Sequence, residues 1–162
     1  MTCQELDCQR LSPILPNFRM DDLATFDHTN FLTHRTKPLI LAVDDDEDSL
    51  LLVACAIDMF DCSAVVARDG SSALKLALSE RPDLILLDIL LPYLSGFDLI
   101  EQLKSNPLTT TIPIVALTAL ASTQDRDRLL RAGCDDYLSK PYMLDDLETV
   151  VNRYLSLPFT LF

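Results

Sequence analysis

From Leu39 onward, short apolar runs alternate with longer stretches in which apolar residues recur every three or four positions. The short runs are Leu39 to Val43, Ala64 to Ala67, Leu84 to Leu87, Ile114 to Leu117 and Tyr137 to Ser139. A brief, nearly unbroken apolar run flanked by turn residues reads as a strand of a parallel sheet covered on both faces. Between them, Leu50, Val53, Ala54 and Ile57 fall at helical spacing and predict a helix over Ser49 to Phe60. Further helices are predicted over Ser71 to Ser79, Phe97 to Lys104, Thr123 to Ala132 and Leu144 to Leu155, with Gly133 as the C-cap of the fourth. Regular alternation of strand and helix predicts an α/β fold: a doubly wound, five-stranded parallel sheet.

Polar side chains stand at the ends of four of these runs. Asp44 and Asp45 follow the first, Asp88 the third, Thr118 the fourth, and Lys140 with Pro141 the fifth. Open parallel sheets bind ligands in the crevice beyond the carboxyl ends of their strands, so three carboxylates, a hydroxyl and an ammonium are expected to meet on one rim. Strand two contributes no polar group to that rim, and a strand outside the site belongs at the sheet edge. With right-handed crossovers, this gives the strand order 2-1-3-4-5 and a flavodoxin-like (βα)5 topology, with the switch point between Asp44-Asp45 and Asp88. Three crowded carboxylates repel one another and call for a hard divalent cation, Mg²⁺ or Mn²⁺.

Composition narrows the function. A net charge of −12, from 13 basic and 25 acidic residues, repels nucleic acid and anionic membrane alike. No apolar run approaches the ~20 residues that span a bilayer, and the first residues lack the basic and apolar regions of a signal peptide. A cytoplasmic protein is expected. The five cysteines (Cys3, Cys8, Cys55, Cys62, Cys134) lack the paired spacing of a zinc site and read as reduced thiols. Residues 1–36 hold two of the nine prolines and both histidines, His28 and His34, without sustained periodicity. They read as an irregular N-terminal extension. A domain over residues 37–156 follows, with a short tail over residues 157–162.

The strand-end residues resemble the receiver domain of two-component response regulators. That family's acidic pair, phosphoacceptor aspartate, Thr or Ser, and Lys-Pro appear here as Asp44-Asp45, Asp88 with Pro92 and Gly96 behind it, Thr118, and Lys140-Pro141. The resemblance implies that a sensor histidine kinase or histidine phosphotransfer protein donates a phosphoryl group to Asp88. Asp45, Asp88 and the Leu90 backbone carbonyl would ligate Mg²⁺, with Asp44 acting through water. Lys140 and Thr118 would bind phosphoryl oxygens, Lys140 reaching the site through a cis Lys140-Pro141 bond. Thr118 and Tyr137 would relay the change to the fourth helix, fifth strand and fifth helix, where Arg126, Arg128 and Arg131 lie, and so to a downstream protein target. Two positions tied in receivers to phosphate lifetime hold Leu90 and Leu120, neither able to orient an attacking water. No enzyme beyond its own phosphorylation and dephosphorylation is implied, and since only Ser156 to Phe162 follows the last helix, a stand-alone regulator is expected.

Simpler readings stand beside these. Asp46, Glu47 and Asp48 read as a helix cap and its first-turn acids. Tyr137 suits a strand by packing alone. Arg126, Asp127 and Arg128 read as an exposed face with local ion pairs. On the first helix, Leu51, Leu52, Cys55, Ala56 and Met59 extend the apolar surface beyond the sheet-facing stripe, and either the extension, with Phe18, Phe26 and Phe31, or a partner helix would cover it. Rival functions are a receiver-like adaptor that signals without phosphorylation, a flavodoxin-like FMN carrier and an aspartyl-phosphate hydrolase. The acidic Asp44 to Asp48 stretch repels the flavin phosphate, and Leu90 stands where the hydrolase needs its second acid.

Overall fold

The structure is a computed structural model that describes residues 35–120 and 122–156. The expected extension through residue 34 and the tail from residue 157, with Cys3, Cys8, Phe18, Phe26, His28, Phe31 and His34, lie outside the described residues. A compact unit begins at Lys37. Its elements alternate strictly: β1 (Leu39–Val43), α1 (Glu47–Met59), β2 (Ser63–Ala67), α2 (Gly70–Glu80), β3 (Leu84–Asp88), α3 (Gly96–Ser105), β4 (Ile114–Thr118), α4 (Thr123–Ala132), β5 (Asp136–Ser139) and α5 (Leu144–Leu155). All pairings are parallel and the order is β2-β1-β3-β4-β5, as the intervals between the strand-end groups predict.

Alternate residues of each strand point to opposite faces. Leu41, Val43, Ile85, Leu87, Ile114 and Ala116 face Ala73 and Ala77 of α2, Leu99, Ile100 and Leu103 of α3, and Leu129 of α4. Ile40, Ala42, Leu84, Leu86, Val115 and Leu117 face Leu50, Val53 and Ile57 of α1 and Leu147, Val150 and Val151 of α5. The central strands are therefore apolar on both sides, which is why their runs are unbroken. Ala56 belongs to the second of these cores rather than to the outer face of α1; Leu52 and Met59 remain exposed there.

Helix ends follow local chemistry. Asp46 caps α1, accepting from the Asp48 amide at 3.0 Å, and Glu47 and Asp48 occupy the first turn, so the helix starts two residues before the expected Ser49. Asp69, Ser95 and Ser122 cap α2, α3 and α4 in the same way. Gly133 ends α4 at φ 108°, a conformation that disfavours a side chain.

The loop from β3 to α3 is closed at its neck by the Gly96 amide donating to the Ile89 carbonyl at 3.1 Å. A Cβ at Gly96 would lie 2.6 Å from the Ile89 Cα and 2.9 Å from its carbonyl oxygen. Both are backbone atoms, so the strand end carrying Asp88 would have to move. Gly96→Ala is accordingly expected to lower stability by about 1–3 kcal/mol, the usual range for overpacking, as measured by urea unfolding.

Candidate phosphoacceptor and metal site

The carboxyl ends of β1 and β3 lie side by side, and their acids meet there. Asp44 directly follows β1; its amide continues the ladder to β2 by donating to the Ala67 carbonyl at 3.1 Å. Its Oδ1 accepts from the Asp46 amide at 2.9 Å and its Oδ2 from Lys140 Nζ at 3.0 Å. Asp88 is the last residue of β3. Its Oδ1 accepts from the Leu90 amide at 3.0 Å and its Oδ2 from Lys140 Nζ at 3.4 Å. Asp44 and Asp88 are buried, at 6% and 7% exposure, whereas Asp45 is exposed. One carboxylate oxygen from each of Asp44, Asp45 and Asp88 lies within 4.8 Å of the others.

The opposite wall comes from β4 and β5. Thr118 ends β4 one residue beyond Leu117, the partner of Asp88 in the ladder, and is fully buried. Its Oγ1 accepts from the Leu120 amide at 3.0 Å, and its carbonyl accepts from the Lys140 amide at 2.8 Å. That second bond fixes where Lys140 leaves the sheet, and the following Lys140–Pro141 peptide is cis. Tyr137 pairs with Ala116, two residues before Thr118, and so shares its face of the sheet. Its ring is half-buried, with the Arg126 guanidinium 4.7 Å from the ring centroid. Arg128 stacks likewise on Phe97 at 4.5 Å; both arginines are exposed, as expected, but among the described residues they rest on aromatic rings and make no ion pair.

One rim residue escaped the sequence reading. β2 was expected to supply nothing polar, yet Arg68, one residue past its end, donates from Nη2 to the Asp45 carbonyl at 3.3 Å. Its Nη1 lies 3.9 Å from Glu47 Oε2. The available signal was the register: Val43 pairs with Ala67, so the next residue of β2 must fall beside the acidic loop.

Burial and charge together set the electrostatics of the site. Burial holds the Asp88 carboxyl above the ordinary carboxylate range, aided by the Asp44 charge, against the opposing pull of the Leu90 amide and Lys140. At Lys140, burial works to lower the pKa, but the hydrogen bond it donates to Asp44 and the charges of Asp88 and Asp44 outweigh it and raise the pKa. Three carboxylates against one ammonium leave the cluster short of positive charge. All the donors are hard oxygens, and the Asp45 carboxylate has no partner among the described residues. This donor set fits a hard divalent cation such as Mg²⁺.

A family model described as the response regulator receiver domain matches residues 40–152. The chain belongs to the response regulator receiver domain family. That membership puts it among the two-component and phosphorelay signalling proteins. The transcriptional regulatory protein PrrA of Mycobacterium tuberculosis is 38% identical to it over 120 residues, 74% of this chain and 51% of PrrA. The polar-differentiation response regulator DivK of Brucella anthropi is 35% identical over 116 residues, 72% of this chain and 94% of DivK. The receiver thus spans about half the length of PrrA and nearly all of DivK. Among solved structures, it resembles the receiver domain of the sensor histidine kinase PA1611 from Pseudomonas aeruginosa, which has magnesium coordinated in its active site cleft. That match has 30% identity and a TM-score of 0.70, and covers 75% of this chain and 99% of that one. Vibrio cholerae CheY4 matches at 25% identity and a TM-score of 0.70, covering 73% of this chain and 98% of its own. No helix among the described residues is long and apolar enough to cross a membrane.

The raised Asp88 pKa has a definite consequence for stability. A carboxyl that holds its proton more tightly folded than unfolded costs stability while ionised, and this cost disappears as pH falls through the raised pKa toward the ordinary value of 3.8. In chelator-treated protein, Asp88→Asn is therefore expected to be more stable than wild type at neutral pH, with the difference gone at pH 3.8 or below. Urea unfolding at the two pH values measures it, and a less stable variant at neutral pH would contradict the sign.

Proposed function

We propose that this receiver accepts a phosphoryl group on Asp88 from a phosphohistidine of a sensor histidine kinase or histidine phosphotransfer protein, and signals through altered protein contacts. The observation that carries this reading is the Lys140 ammonium, 3.0 Å from Asp44 and 3.4 Å from Asp88, in a cluster of three carboxylates at adjacent strand ends. Such an ammonium holds the acceptor in place and then meets the charge that arrives with the phosphoryl group.

In the reaction, the P–N bond to the donor imidazole breaks as a P–O bond forms to an Asp88 oxygen, and the imidazole keeps the electron pair of the broken bond. Attack requires the ionised carboxylate, which Lys140 and the Leu90 amide favour. Asp45, Asp88 and the Leu90 carbonyl would hold Mg²⁺, with Asp44 acting through a bound water. The cation supplies neutralisation of the carboxylates and of the phosphoryl oxygens. Lys140 and the Thr118 hydroxyl take the remaining phosphoryl oxygens. To do so Thr118 shifts toward the phosphate, and Tyr137, on the same sheet face, adjusts against α4. Signalling then amounts to biasing a two-state equilibrium in α4, β5 and α5. The protein turns over no other substrate on this reading.

Intact mass after incubation with a small phosphodonor and Mg²⁺ tests the acceptor. Wild type should gain one phosphoryl group and Asp88→Asn none, with the gain lost in chelator. Lys140→Ala should slow the gain by about 10²–10³-fold, the range for removing one preorganised electrostatic contact. A gain that persists in Asp88→Asn refutes the assignment, and the same measurement tells a phosphoacceptor from an adaptor that signals without phosphate.

The side chains of Leu90 and Leu120 offer no group to orient a water toward the phosphoryl phosphorus, Leu90 being exposed and Leu120 packed against the core. Phosphorylated protein should accordingly persist well beyond seconds, and a polar residue at the first position (Leu90→Asn) should hasten its decay by about tenfold or more, as expected when a group that positions water is supplied. Loss of the mass gain within seconds in wild type would contradict this.

A further inference from the structure

Asp44 and Asp88 are each oriented by two protein donors, a backbone amide and the Lys140 ammonium. Asp45 is not: among the described residues its carboxylate accepts no hydrogen bond. What constrains Asp45 is its backbone, and the side chain that grips that backbone is Arg68, through the Asp45 carbonyl at 3.3 Å and Glu47 at 3.9 Å. Arg68 is itself well placed to do so. Ala67 before it is buried and accepts from the Asp44 amide, and Asp69 after it caps α2, so its backbone is fixed on both sides while its side chain crosses the loop from β1 to α1.

We propose that Arg68 is a positioning residue for the cation site: by holding the Asp45 carbonyl and Glu47 together, it keeps the Asp45 carboxylate in line with those of Asp44 and Asp88. The inference rests on the reading that these three carboxylates hold Mg²⁺. Guanidinium geometry matters here as well as charge. A planar fork spans two acceptors at once, which a lysine ammonium on the same stem does not. A nearby positive charge acting through space alone would repel the ion and weaken its binding. Positioning and plain repulsion therefore predict opposite signs for removal of Arg68.

The test is a Mg²⁺ titration of unphosphorylated protein, followed by amide chemical shifts, for wild type, Arg68→Gln and Arg68→Lys. Both variants should bind Mg²⁺ about two- to fivefold more weakly than wild type, the scale of exposed ionic contacts, and the amides of Asp45 to Glu47 should exchange faster without metal. Arg68 is exposed, so thermal unfolding of the metal-free variants should stay close to wild type. If Arg68→Gln binds as tightly as wild type or more tightly, or if Arg68→Lys is indistinguishable from wild type, the positioning role is refuted. Asp45→Asn serves as the control: a wild type that shows no Mg²⁺-dependent shifts at Asp45 and Asp88, or an Asp45→Asn that binds like wild type, overturns the underlying cation site instead.

Discussion

The Lys140 ammonium sits between two buried carboxylates, and the rest of the site is arranged around that contact. Removing carboxylates from water is costly unless opposite charge and hydrogen bonds replace the lost hydration. Asp44 and Asp88 have both replacements, because β1 and β3 are neighbours and β5 delivers Lys140 at the level of their ends. That delivery depends on an ordinary ladder bond, from the Lys140 amide to the Thr118 carbonyl at 2.8 Å. One ammonium against three carboxylates still leaves negative charge uncompensated, and burial, with the Asp44 charge added to it, holds the Asp88 pKa up. A site left in this condition is suited to a cation and then to an anion that brings further charge.

Confining charge to the rim goes with an apolar sheet. With polar groups confined to the strand ends, strand interiors are free to pack on both faces, and in β3 the four residues before Asp88 are fully buried. The two cores thereby hold the carboxyl ends of β1, β3 and β4 at fixed spacing. Gly96 serves the same purpose from the other side of Asp88, closing the following loop so tightly that no Cβ fits. Rigid strand ends with short closed loops are what let side chains from distant parts of the sequence meet within a few ångströms.

Much of this could be read from the chain itself. Strand order followed from the unequal intervals between Asp45, Asp88, Thr118 and Lys140, since only a strand without a rim group belongs at the edge. What escaped were features set by pairing across elements. Arg68 was left out of the rim because its partners, Asp45 and Glu47, come from a different strand-to-helix loop, and only the β1–β2 register brings them together. Arg126 and Arg128 looked like a charged helix face because their aromatic partners, Tyr137 and Phe97, lie on other elements. Ala56 is small enough to fit between α1 and the sheet, which its apolarity alone did not reveal. Helix starts shifted by one or two residues where a capping Asp or Ser, rather than the first apolar residue, set the boundary.

The helices are anchored unequally, and the inequality has a direction. Five residues of α1 are buried and four of α3, but α4 buries Leu129 alone. The remaining contacts of α4 include the two arginine stacks, which hold it to β5 on one side and to α3 on the other. Stacks of this kind at exposed positions contribute on the order of 0.5–1 kcal/mol each, less than one fully buried leucine. A helix held this lightly opens and shifts more readily than its neighbours. Tyr137 lies under Arg126 and on the same sheet face as Thr118, so on the proposed reading a change at Thr118 would reach the least anchored helix through that side chain. On the proposed reading, a small displacement at the phosphoryl site thus meets little resistance on its way to the surface.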